Sequence, residues 1–453
     1  MFMDLKQTII SMALGAMILN GADSAHTSVN NRAPLNFTTA LDQPTLLKGK
    51  GDRKVIVKIE VEGGKSLRAN RIPLNLAIVL DRSGSMGGEK LEQAKQAAMM
   101  LVDQLDKKDV LSLIVYETEV EVVLPAGPLR DRKKEIKRII QEIETGGSTA
   151  LYGGVQEGGR QLDEFLSQQR INRVILLSDG IANVGPSSNR EIAGLGSRLA
   201  KNGVSVTTIG LGDNYNETLM TALAEASDAN YYYVADVEDL PSVFESELGE
   251  LQTVLAREVV IEIRCPNGVR PLRFLGRPGE LKSRHESVTF NTLSSEQSRD
   301  LYLEVELEQS VLGTLDTIAD VEIRYLDPAK NGEVVAGKTS VVVSYTDDAE
   351  LAEASKNLAV AAEAAIYLNA EETEKSISYA DSGNIEACRA NLESQKLMLI
   401  DAFAFAPAKQ KEMLKAEIAA VEEAQRDLEN DALSKVQRKK LSVGSWMTRN
   451  SKR

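Results

Sequence analysis

The sequence predicts an α/β protein: a doubly wound, mostly parallel sheet with helices on both faces, inserted in or flanked by an antiparallel β-sandwich and followed by a C-terminal helical bundle. Three observations carry that prediction. From Leu76 to about Leu255, aliphatic runs of strand length alternate with helical periodicity, as βα crossovers require. From Arg257 to Tyr345, short alternating strands are separated by turn signals such as Pro266-Asn-Gly268, Asp327-Pro328 and Asn331-Gly332. From Asp347 onward the chain becomes rich in alanine, glutamate and lysine and loses its β-branched runs.

In chain order, Met1 to Ala25 reads as an export signal, with Lys6 ahead of an apolar stretch from Ile9 to Leu19 and small residues around Ala22 to Ala25. That stretch is too short to span a membrane as a helix. Residues 26–51 read as a polar linker. In 52–71, Lys54 to Glu62 alternates apolar and charged residues, the mark of a strand with one wet face. This strand either joins the later sandwich or forms a small separate hairpin.

Residues 72–256 hold the α/β domain. Its helices are expected over Gly87–Leu105, Arg132–Glu144, Leu151–Leu166, Asn189–Asn202, Asn216–Ala226 and Asp239–Leu255. The last of these runs straight into a strand at Arg257–Arg264. Residues 257–346 form the sandwich. Residues 347–440 form the bundle, with helices at Ala349–Ala370, Glu371–Ser382, Asn384–Phe403 and Lys409–Asp431. The tail, 441–453, is expected to be disordered.

The totals narrow the function. The chain has 453 residues, too many for one core. A net charge of −14 leaves no dense basic stripe to displace phosphate counterions, which argues against nucleic acid. Cys265 and Cys388 fit no metal or redox spacing, and the sequence leaves their pairing open. With only His26 and His285, histidine-based catalysis has little to work with.

The chemistry concentrates in one stretch, Asn75-Leu-Ala-Ile-Val-Leu-Asp81-Arg-Ser83-Gly-Ser85-Met86. Leu76 to Leu80 reads as a central strand buried on both faces, so the polar residues stand at its carboxyl end, where open α/β sheets bind ligands. Asp81, Ser83 and Ser85 alternate along a turning loop and can converge on one hard cation. Gly146-Gly-Ser-Thr149 adds a hydroxyl before a helix, and Val174 to Leu177 is a second aliphatic strand that leads to Asp179-Gly180.

Asp-x-Ser-x-Ser, then Thr, then Asp-Gly, each at a strand or loop end, resembles the von Willebrand factor A (VWA) domain and its metal-ion-dependent adhesion site. The resemblance covers roughly residues 72–256. It implies that Ser83, Ser85 and Thr149 face the ion directly or through water, and that Asp81 and Asp179 act mostly through water and hydrogen bonds. Mg²⁺ is the expected ion, with Ca²⁺ or Mn²⁺ as alternatives. Gly153 is a departure, since many similar sequences carry an acid there, but no expected ligand depends on it. The full-length pattern also resembles bacterial proteins related to calcium-activated chloride channel regulators, and inter-alpha-trypsin-inhibitor heavy chains set a metal domain beside β-domains.

Such a site leaves a coordination position open, which an Asp or Glu of a partner protein can fill. Arg82, Asn183, Asp213, Asn214 and Tyr215 are expected at the same sheet edge, either as a ligand-selecting rim or as solvated loop residues. In similar domains the last helix can shift with metal coordination; here it is either such a lever or a rigid spacer. The sequence-level reading is therefore an extracytoplasmic, periplasmic or secreted, metal-dependent protein-binding module that is not an enzyme and has no spanning segment in the mature chain. Its partner and oligomeric state are unknown. The alternatives are a metal-dependent hydrolase, or a cytoplasmic partner of an ATPase if the signal is false.

Overall fold

The structure is a computed structural model and describes residues 34–49, 54–65, 71–167, 169–307, 315–328, 332–430 and 432–452. The expected export signal lies outside the described residues. The supposed linker does not stay a linker. Leu35–Leu41 is strand β1, Thr45–Leu47 is β2 and Lys54–Gly63 is β3, with β1 antiparallel to β3. Leu35, Phe37 and Leu41 alternate inward, a period obscured in the sequence by intervening Asn and Thr.

The chain then builds a six-stranded sheet. Its strands are β4 (Leu74–Asp81), β5 (Val110–Tyr116), β6 (Val120–Pro128), β7 (Ile171–Ser178), β8 (Val204–Leu211) and β9 (Tyr231–Val234), in spatial order β6-β5-β4-β7-β8-β9. All neighbours are parallel except the edge pair β5 and β6. Every residue of β4, β5, β7 and β8 is buried, because helices cover both faces. Those helices are α1 (Glu89–Gln104), α2 (Lys133–Gln141), α3 (Leu151–Asp163), α4 (Asn189–Lys201), α5 (Glu217–Ala226) and α6 (Leu240–Gln252). Their starts are written locally: Ser188 and Glu191 form a capping box for α4, and Asn216 caps α5. Helix α3 lies close on the sheet because Gly158 faces it; a Cβ there would come within 2.7 Å of Val79.

Helix α6 ends at Gln252, and Thr253 alone separates it from β10 (Val254–Arg264), so the hand-over comes earlier than the sequence suggested. Four further strands follow, β11 (Val269–Phe274), β12 (His285–Ser294), β13 (Ser298–Leu307) and β14 (Leu315–Asp327), and then β15 (Gly332–Thr346). They complete two sheets, β1-β3-β13-β11 and β12-β10-β14-β15-β2, whose inner faces share one apolar core. Because β3 pairs with both β1 and β13, the α/β domain is inserted between strands of a single sandwich.

Five helices close the chain: α7 (Ala349–Ala354), α8 (Leu358–Asp381), α9 (Ile385–Phe405), α10 (Ala408–Asp427) and α11 (Lys435–Arg449). The break falls at 355–357, where Asn357 caps α8, and not near Ala370. Helix α11 corrects the expected disordered tail. Leu441 and Trp446 are buried, and Trp446 meets Tyr231 of β9 edge-on at 6.0 Å. The basic residues that make this stretch look solvated are themselves partnered: buried Lys439 donates to Glu217 at 2.7 Å and to the Tyr215 carbonyl at 3.0 Å. Cys265 and Cys388 are both free, one in the sandwich core and the other in the bundle core. Among the described residues no helix is long and apolar enough to cross a membrane.

Candidate metal centre

Asp81 is the last residue of β4, and Asp179 follows the last residue of the adjacent parallel strand β7, so strand register alone sets the two carboxylates side by side at one sheet edge. Both are fully buried. Asp81 accepts from the Ser83 backbone N–H at 2.9 Å and from the Ser178 hydroxyl at 2.7 Å. The first bond turns the chain back on itself, and a short 3₁₀ turn over Gly84–Met86 then presents Ser85. The Ser83 and Ser85 hydroxyl oxygens are 3.1 Å apart, and Ser85 donates to Asp179 Oδ1 at 2.6 Å.

The third loop brings Thr149. It is tied to the first by Gly84 N–H to the Gly147 carbonyl at 3.1 Å and Gly146 N–H to the Arg82 carbonyl at 2.7 Å. Its position is readable from Gly180: a Cβ added there would lie 3.2 Å from Thr149 Oγ1 and 3.5 Å from Ser85 Oγ. The absence of a side chain at Gly180 therefore keeps the space between these hydroxyls open. The five residues expected from the sequence thus meet at one edge.

Electrostatically the site is poor in positive charge. Burial raises the Asp81 pKa above its ordinary value, the Ser178 and Ser83 hydrogen bonds oppose the shift, and the Asp179 charge adds to it. Three hydroxyl oxygens backed by two carboxylates are the donor set a hard divalent ion takes. Among the described residues no group of three or more His, Cys, Asp or Glu side chains offers another candidate. The residues present therefore fit Mg²⁺ or a similar ion.

The rim divides. Asn183 is exposed, but its side-chain carbonyl accepts from the Thr149 N–H at 2.8 Å, so it braces the Thr149 loop. Arg82 pairs with Glu121 at 3.2 Å and Glu117 at 3.9 Å. Asp213 accepts from the Tyr233 hydroxyl at 2.6 Å, and exposed Asn214 accepts from Lys435 of α11 at 3.0 Å. Tyr215 is not a rim residue. It is buried, bonded to the Tyr231 hydroxyl at 2.8 Å, and covered by the Lys439 ammonium 4.0 Å from its ring centroid. The helix that seals it begins inside the expected bundle and runs on into the stretch expected to be disordered.

Three contributors escaped the sequence reading. Ser178, which stands between the aliphatic run and Asp179, donates to Asp81. Ile181, 61% exposed just beyond Asp179-Gly180, gives the edge an apolar contact point. Lys90, to which the local sequence pattern assigns no role, donates to Asp179 Oδ2 at 2.5 Å.

Comparison with known proteins agrees with the fold. The family described as "von Willebrand factor type A domain" matches residues 75–246, and the chain contains a VWA domain. It is 28% identical over 305 residues to uncharacterized protein sll0103 of Synechocystis, covering 65% of this chain and 71% of that one. It is 30% identical over 162 residues to inter-alpha-trypsin inhibitor heavy chain H3 of Homo sapiens, covering 34% of this chain and only 18% of the heavy chain. The solved structure "von Willebrand factor type A from Catenulispora acidiphila" superposes with a TM-score of 0.71 at 16% identity, covering 92% of this chain and 98% of that one. That likeness extends the shared fold beyond the VWA domain to the sandwich and the helical region.

Proposed function

We propose that this protein is a divalent-metal-dependent protein-binding module of the adhesion or scaffold kind, whose ion is completed by an Asp or Glu side chain from its partner. The observation that carries the reading is the convergence of Ser83, Ser85 and Thr149 hydroxyls, backed by Asp81 and Asp179, at the carboxyl edge of a parallel sheet. When bound, the ion supplies a Lewis-acidic centre whose charge attracts a partner carboxylate. The chain's residues do the rest. Asp81 fixes the turn that presents the two serines, Asn183 anchors Thr149, and Gly180 leaves the space open. Ile181 offers apolar contact to a residue beside the partner's acid.

Hydrolysis is less well supported. The carboxylates available as a base are Asp81, engaged by Ser83 and Ser178, and Asp179, engaged by Ser85 and Lys90. Export is part of the proposal and rests on residues 1–25 of the sequence; a mature amino terminus near Ala25 or His26 is the expected result. The binding reading is tested by affinity capture on full-length protein in Mg²⁺, in EDTA, and with Asp81→Ala. Proteins retained by wild type in Mg²⁺ should be lost in both other arms. Retention of the same proteins in EDTA overturns the metal-dependent reading.

A further inference from the structure

The metal reading leaves Lys90 unexplained. Its ammonium lies 2.5 Å from Asp179 Oδ2, and the Lys90 side chain is 30% exposed while Asp179 is fully buried. The position is a poor one for helix stability, since a cation in the first turn of α1 opposes the helix dipole. A local rule broken beside a candidate site points to the site as the reason. The ammonium also lies 3.9 Å from where a Cβ of Gly212 would stand, so it reaches from α1 to the loop at the end of β8. Asp179 is thereby shared: one oxygen takes Lys90 and the other takes Ser85, one of the proposed ion-facing hydroxyls.

Two cations cannot both be stabilised at full strength by one carboxylate, because they repel each other at short range in a poorly solvated site. We propose that Lys90 is a tethered competitor: it neutralises Asp179 in the metal-free protein, gives way when a divalent ion loads, and so sets the ion affinity of the site. This rests on the metal-dependent reading above and concerns regulation of the same centre. The rival role for Lys90, holding Asp179 in its ion-ready orientation, predicts the opposite sign.

The experiment is a calorimetric titration of full-length wild type, Lys90→Met and Lys90→Arg with MgCl₂ and with MnCl₂ at fixed ionic strength, together with thermal melts with and without each ion. Met preserves length and helix propensity, so α1 is kept. Loss of a charge-assisted bond to a buried carboxylate should let Lys90→Met bind the ion roughly ten- to a hundredfold more tightly. The same variant should melt below wild type without metal and close to it with metal, and Lys90→Arg should stay near wild-type affinity. Binding by Lys90→Met with none by wild type also supports competition. Equal or weaker ion binding by Lys90→Met, with wild type binding normally, overturns it and leaves the metal site standing. Failure of every variant to bind either ion overturns both readings.

Discussion

The two ends of the VWA sheet handle buried charge in opposite ways. At the amino end of β7 and the start of β9, Glu247 and Glu250 of α6 meet Arg173, Asn230 and Lys452: Arg173 stands 3.7 Å from Glu247, Asn230 donates to both glutamates at 2.7 and 2.9 Å, and Lys452 pairs with Glu250 at 3.3 Å. Nearby, fully buried Arg299 of the sandwich pairs with Asp228 at 3.2 Å. Each carboxylate there has a cation. At the carboxyl end, Asp81 has hydroxyl and amide donors and no described cation partner, and Asp179 has the half-exposed Lys90. The first cluster is closed and joins domain, sandwich and tail. The second is short of positive charge and open to an incoming ion. Buried pairs are weak stabilisers on balance but costly to break, so a balanced cluster reads as a staple and an unbalanced one as a site.

This contrast can be broken first at the staple. Glu247→Ala leaves Arg173 buried without its carboxylate and should lower unfolding free energy by about 3–5 kcal/mol in chemical denaturation, with divalent-ion affinity unchanged in the fraction that remains folded. A loss below about 1 kcal/mol would show that the cluster is not the staple claimed. At the open end the sign should reverse. Asp81→Asn removes one of two adjacent buried carboxylates, so the metal-free variant should be at least as stable as wild type. It should also lose the ion's stabilisation, about 2.7 kcal/mol at an ion concentration a hundred times the Kd. A metal-free Asp81→Asn protein markedly less stable than wild type would put Asp81 with the staple.

The smallest test isolates burial from metal binding. Asp42, in the sandwich, accepts from the Ile56 N–H at 2.8 Å, and burial raises its pKa from 3.8 to about 6. Because the folded value lies above the unfolded one, stability falls as pH rises through the window between them and the full cost is present above about 6. Asp42→Asn should flatten that decline and stabilise the protein at pH 7 by on the order of 1–3 kcal/mol. An unchanged pH profile would show that Asp42 is not the group that titrates in this window.

What the sequence revealed follows from how locally each feature is encoded. Asp81, Ser83, Ser85 and Asp179 were legible because they stand at or just past the end of an aliphatic run, and parallel pairing of β4 with β7 brings those ends together; Thr149 was legible from its glycine-rich loop before a helix, which loop hydrogen bonds then tie to the first. The sandwich was legible from alternation, except in β1, where Asn36 and Thr38 dilute the pattern, in β2, which is only three residues long, and in β11, which Pro271 interrupts. Lys90, Tyr215 and α11 were hidden for one shared reason. Their environment is set by partners 89, 16 and more than 200 residues away in the chain, which no local pattern reveals.

The central claim is that the open end of the sheet holds one divalent ion on hydroxyls. Anomalous diffraction from crystals grown with Mn²⁺ tests it most directly. A single strong peak is expected about 2 Å from the side-chain oxygens of Ser83, Ser85 or Thr149, with Lys90 withdrawn from Asp179. A structure at saturating Mn²⁺ with no peak between these hydroxyls, or with the ion bound elsewhere on the chain, would contradict it.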